Sequence, residues 1–180
     1  MKRAPALVSA AALAAVLSVT TTAAAPPNQE PAAPSAGEYC AVRIEPLASG
    51  VDPATPVCFR TPDELRAYLA VVTAPRGTSA LAAATTASTV LGTVYKDAGY
   101  AGGSLSFYGS GSCAGVTFGF AALDAGWRNV ISSAKAFAGC HVSLYSAPSY
   151  GGSQLLCTPN CASLGALNDR VLSLVFRPAG

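Results

Sequence analysis

Few side chains in this 180-residue chain could do chemistry, and their spacing narrows what that chemistry could be. There are six cysteines, one histidine and nine carboxylates. Zinc would require close Cys/His pairs at short spacing. No C-x-x-C occurs, and His141 is the only imidazole. Nucleophilic catalysis would need a serine on an elbow such as G-x-S-x-G, which is absent. Glycoside hydrolysis needs two facing carboxylates. From residue 90 onward only Asp97, Asp124 and Asp169 are available, scattered among expected loops. Gly99 to Gly111 is glycine-rich but lacks the lysine and following helix of a phosphate loop. No catalytic or cofactor-binding residue is therefore assigned, and the chain reads as a non-enzyme.

The cysteines remain: Cys40, Cys58, Cys113, Cys140, Cys157 and Cys161. An even count in an exported chain reads as a disulfide framework. Export is expected from the N-terminus. Lys2 and Arg3 precede an apolar run to Val19, and small residues close it at Ala23-Ala24-Ala25. That is the order of a secretory signal peptide, residues 1–24, with the cut near Ala24. The run is shorter than the roughly 20 residues that span a bilayer, so no membrane association is expected after cleavage. The expected location is secreted and extracellular. Several connectivities are open to six cysteines. Order along the chain favours Cys40–Cys58, Cys113–Cys140 and Cys157–Cys161, each within one segment. Loop entropy assigns these about 3, 3.5 and 2 kcal/mol. Without Lys2 and Arg3 the formal charge falls from +2 to zero, which argues against a nucleic-acid partner.

The elements that must position these residues are legible in part. Residues 25–37 are rich in Pro and Ala and read as disordered. Residues 38–75 read as a small strand–strand–helix module. Tyr39 to Ile44 alternates as a strand, and Val57-Cys58-Phe59 is a second. Thr61, Pro62 and Glu64 form a helix start with a capping box. Leu65, Tyr68, Leu69 and Val72 make one apolar face, expected to cover the hairpin. So small a module needs its disulfide, or docking onto the C-terminal domain. Residues 76–89 read as an Ala/Thr/Ser linker.

From residue 90 the chain repeats itself. Val94-Tyr95, Tyr100, Gly102 and Leu105 recur fifty positions on as Leu144-Tyr145, Tyr150, Gly152 and Leu155. A second patch recurs forty positions on. Trp127 to Ser133 matches Leu167 to Ser173, so the first copy carries about ten extra residues around Phe118 to Asp124. Each copy reads as a strand ending at tyrosine, then a hairpin whose glycine takes a conformation closed to other residues. A second strand comes next (Ser104 to Tyr108; Ser153 to Thr158). After a longer excursion comes a returning strand (Ile131 to Phe137; Arg170 to Phe176). That is a Greek key. Two of them packed together give a mainly β sandwich over residues 90–180.

The two Tyr-x6-Gly hairpins, each linked to a later patch, resemble the βγ-crystallin family over about half the chain. Asn168-Asp169-x-x-Leu172-Ser173 resembles the family's N/D-N/D-x-x-S/T-S calcium motif, and Trp127 stands where the family often has tryptophan. The resemblance implies two crossed calcium sites built from hard oxygen ligands. One would use the Lys96 and Val130 carbonyls and a hydroxyl at position 172. The other would use the Ser146 and Arg170 carbonyls and the Ser132 hydroxyl, beside Asn168 and Asp169. Position 172 is leucine, Arg128 replaces the first acid or amide of motif one, and Lys96 and Ser146 replace common acids. The first site is expected to be lost and the second to bind calcium weakly. No cofactor is otherwise required. An alternative role for Asn168, Asp169, Ser133 and Ser173 is hydrogen bonding within their own turns.

Three functions fit this reading. The first is a secreted structural or binding protein with degenerate calcium motifs. The second is a protease inhibitor, similar in class to the crystallin-like metalloprotease inhibitors of actinobacteria. Cys113 to Asp124 or Cys157 to Cys161 would supply a rigid exposed loop. The third is a secreted antimicrobial toxin. The expected partners are an extracellular protease or a surface component.

Overall fold

The computed structural model describes residues 39–51, 54–75 and 88–179. The signal segment, the Pro/Ala-rich segment and residues 76–87 of the linker lie outside the described residues. All described residues belong to one compact unit. Among them, no helix is long and apolar enough to cross a membrane.

Local sequence sets the first elements. Strand β1 (Tyr39–Arg43) pairs antiparallel with β2 (Val57–Phe59), with Cys40 opposite Cys58. Helix α1 (Pro62–Val72) starts with the expected capping box. The Glu64 amide donates to the Thr61 hydroxyl at 3.2 Å, and the Thr61 amide donates to the Glu64 carboxylate at 3.1 Å. Alternation splits β1 between two cores. Cys40, Val42 and Ile44 enter the main core, while Ala41 packs with Leu65 and Tyr108 under the helix. The Tyr68 and Tyr108 hydroxyls meet at 3.0 Å.

The duplicated half supplies β3 (Thr89–Asp97), β4 (Ala101–Gly109), β5 (Phe118–Phe120) and β6 (Ser133–Ala136), then β7 (Cys140–Tyr145), β8 (Gln154–Cys157), β9 (Asn160–Cys161) and β10 (Ser173–Pro178). The two sheets run β2-β1-β4-β3-β6-β9 and β5-β10-β7-β8. Each Greek key thus sends its third strand into the other's sheet. Strand β5 of the first copy pairs with β10, and β9 of the second pairs with β6. The insertion around Phe118 contains β5, whereas its counterpart β9 has only two residues.

β1 extends the first sheet by lying parallel to β4, with Tyr39 to Arg43 opposite Ser104 to Tyr108. The intervening chain and α1 make the crossover that a parallel pair requires. Between the sheets, Phe107 meets Phe120 and Phe176 at ring-centroid distances of 5.6 and 5.4 Å. Gly92 sits at a register shift in β3, where a Cβ would run into the Phe176 ring. All six cysteines pair, as Cys40–Cys58, Cys113–Cys140 and Cys157–Cys161.

Candidate functional site

The repeated spacing inside the duplication has a geometric cause. In the first copy the Ser133 hydroxyl accepts from the Tyr100 amide at 3.0 Å and donates to the Asp97 carbonyl at 2.6 Å. In the second, the Ser173 hydroxyl accepts from the Tyr150 amide at 3.0 Å and donates to the Ala147 carbonyl at 2.7 Å. The last serine of each motif therefore holds its copy's hairpin from the returning strand, a longer reach than bonding within its own turn. Tyr95 and Tyr100 meet edge-on, as do Tyr145 and Tyr150. Gly102 and Gly152 have φ of +72° and +75°. A Cβ at either would press on the Asp97 or Ser146 side chain, which can move, so it is the positive φ that calls for glycine. Burial raises the Tyr95 phenol above its ordinary pKa, against a lowering hydrogen bond with Thr93 and with a further rise from Tyr100. Burial beside Tyr145 raises Tyr150 likewise.

The two motif segments also pair with each other. The Asn129 amide donates to the Val171 carbonyl at 3.1 Å, and the Asp169 amide to the Ile131 carbonyl at 3.0 Å. Asn129 and Asp169 both adopt positive φ, which Asn and Asp tolerate better than most residues. This cross-pairing brings three of the five sequence-assigned metal residues together. Ser132, which is buried, donates from its hydroxyl to Asp169 Oδ1 at 3.0 Å, and Asn168 Nδ2 donates to Asp169 Oδ2 at 2.8 Å. The Ser146 and Arg170 carbonyls are the ligands the resemblance implies; apart from them, the Ser146 hydroxyl accepts from the Ser153 amide in its own hairpin. Arg170 is exposed, and its amide donates to the Leu167 carbonyl.

The pseudo-symmetric position is different chemistry. Leu172 stands where Ser132 stands in the other motif. Arg128 donates to the Leu123 carbonyl, and the Lys96 ammonium lies 5.2 Å from the Trp127 ring centroid. Hard cations need oxygen ligands and low positive charge nearby, so this first position does not fit calcium. The second fits in part, through the Ser132 hydroxyl and the Asp169 carboxylate. Among the described residues no three His, Cys, Asp or Glu side chains converge. His141 lies on β7 opposite Arg177 of β10.

One concavity gave little sign of itself in the sequence. A groove of about 490 Å³ opens between α1 and the outer face of the first sheet. Its only sequence signal is the alternation of Ser104 and Ser106 with core residues in β4.

No family model matches the chain, and no curated protein matches it. Solved structures that resemble it are βγ-crystallin domains. The N-terminal domain of protein S is 24% identical, covering 49% of this chain and 97% of that one, with a TM-score of 0.40. A betagamma-crystallin domain from Flavobacterium johnsoniae is 28% identical over 50% of this chain and 97% of that one, TM-score 0.39. One from Clostridium beijerinckii is 21% identical over 48% and 97%, TM-score 0.39. By its own topology, this chain is a βγ-crystallin-like sandwich of two Greek keys with exchanged third strands, preceded by a strand–strand–helix unit.

Proposed function

We propose that the protein is an exported, non-catalytic binding or structural protein whose second calcium motif keeps one weak cation site. The observation that carries the cation site is the contact of Ser132 Oγ with Asp169 Oδ1 at 3.0 Å, which joins the two motifs. Calcium there would take the hydroxyl and carboxylate oxygens and stabilise the junction of the Greek keys. Export is supported by the basic, apolar and small-residue order of residues 1–24 and by three disulfides. The non-catalytic reading is supported by the use of the motif serines as hairpin anchors.

The test is thermal unfolding with and without calcium. A cation at ten times its Kd stabilises by about 1.4 kcal/mol, read as a rise in Tm. Ser132→Ala is expected to remove the rise. Leu172→Ser is expected to add to it by restoring a hydroxyl in the first motif. No shift in the natural protein rejects the cation site.

A second reading, inhibition of an extracellular protease, is favoured by the segment Cys157–Cys161. Its disulfide braces Thr158 and Pro159, both exposed, between β8 and β9, strands of different sheets. A braced loop loses little entropy on binding. Titration against thermolysin-like and serine proteases tests it, and unchanged protease activity at stoichiometric excess rejects it. The antimicrobial alternative has only the fold class behind it.

A further inference from the structure

We propose that the groove between α1 and the outer face of the first sheet binds a neutral oligosaccharide. The groove's 490 Å³ lies within the about 300–1,000 Å³ typical of small-molecule sites. Thr93, Ser104 and Ser106 line it and are only 4–6% exposed, so they sit at its bottom. They share the outer face of adjacent strands, where Thr93 is opposite Ser106 and Tyr95 opposite Ser104. Rings of Tyr39, Tyr95, Tyr100 and Phe137 line the same space.

The chemistry of this lining is selective. The Thr93 and Ser106 hydroxyls meet at 2.9 Å, which leaves acceptor lone pairs on both oxygens. A purely apolar ligand would desolvate them without replacement. Among the described residues no carboxylate lines the groove; its lining cation, Arg66, is paired with Asp63 at 2.8 Å, and the neighbouring Lys135 ammonium is engaged over the Tyr100 ring at 4.1 Å. A charged ligand therefore gains little. β3 and β4 are interior strands with both edges paired, so no free backbone edge is offered to a peptide strand. A sugar chain supplies what remains: hydroxyls for the bottom and C–H faces for the rings.

The second copy shows what the first retains. Ser143 lies opposite Leu156 at the positions equivalent to Thr93 and Ser106. There the matched hydroxyl pair is broken, and the buried Ser143 hydroxyl has no hydrogen-bond partner. The copy walled by α1 keeps its pair.

This inference rests on the reading of a non-catalytic binder, and the test separates the two. The full mature protein, in EDTA, is titrated with laminaritriose, cellotriose, chitotriose and maltotriose while backbone amide NMR signals are followed. At least one trisaccharide is expected to give saturable shifts centred on Thr93, Ser104 and Ser106. Phe137→Ala is expected to weaken binding about tenfold. Its ring is 41% exposed, so the Tm should hold. The double variant Thr93→Val/Ser106→Ala removes both hydroxyls together and should abolish binding with the fold intact. Absence of saturable shifts overturns the proposal. So does binding that Phe137→Ala leaves unchanged, or shifts centred on Asp169. Preference for an extended peptide or a sulfated sugar at the same amides also overturns it. Chromatographic recovery of intact trisaccharide supports the non-catalytic reading, and cleaved sugar rejects that reading without emptying the groove.

Discussion

Three buried serines sort by whether their hydroxyls have work. Ser133 and Ser173 each satisfy two backbone groups of a hairpin. Replacing either with alanine strands a buried amide and carbonyl, a loss of about 1–3 kcal/mol. Urea unfolding should show it as a lower midpoint. Ser143 is equally buried but has no partner. Ser143→Ala should therefore raise stability, by about 1 kcal/mol, because it removes an unpaired hydroxyl. Tyr108 is the residue that sets alkaline behaviour. Burial, with the hydrogen bond to Tyr68, pushes its phenol from 10.0 up to about 12. The unfolded chain releases this proton first, so the contribution is whole below the unfolded pKa. It is lost as pH rises through about 12. Absorbance titration should show Tyr95 and Tyr150 above the ordinary range and a group near 12 that Tyr108→Phe removes.

At the scale of elements, α1 and β1 belong with the first sheet. The Thr61–Glu64 box holds the helix start, so Thr61→Ala should cost about 1 kcal/mol in thermal unfolding. The loss should appear first as faster hydrogen exchange in α1 and β2, the elements around that helix. β1 matters more. Val42 and Ile44 are fully buried among the residues of the main core, and five residues of β1 occupy the edge of β4. A fragment beginning at Ser88 would lose both side chains and open a strand edge, a template for association. Light scattering should show it aggregating where residues 39–180 stay monodisperse.

Across the whole molecule, the exchange of β5 and β9 makes the two Greek keys interdependent. Neither sheet is complete without the other copy, so unfolding should be one cooperative transition. The Cys113–Cys140 disulfide closes the loop that contains β5 and β6. Replacing both cysteines with serine should cost about 3.5 kcal/mol by loop entropy. The transition should stay single, because the strand exchange that couples the copies does not depend on that bond.

What the residues declared in advance was local. The capping box, the Tyr-x6-Gly hairpins and the strands of each copy depend on neighbours a few positions away, through backbone conformations only certain residues accept. The duplication made the Greek keys readable, and the order of the cysteines along the chain favoured the three disulfides because each pairing closes a short segment. The tertiary structure alone decided which strand lies beside which. β1 beside β4, β5 beside β10 and β9 beside β6 are long-range choices set by two-sided packing, and a period of two cannot name a partner. The junction of the two motifs is a product of those choices. Ser132 and Asp169 meet only because the Asn129 and Asp169 segments pair across the two copies. The few side chains able to do chemistry could be named from the chain, but packing determined that the Ser132 hydroxyl reaches Asp169 and that α1 walls a groove over Thr93 and Ser106.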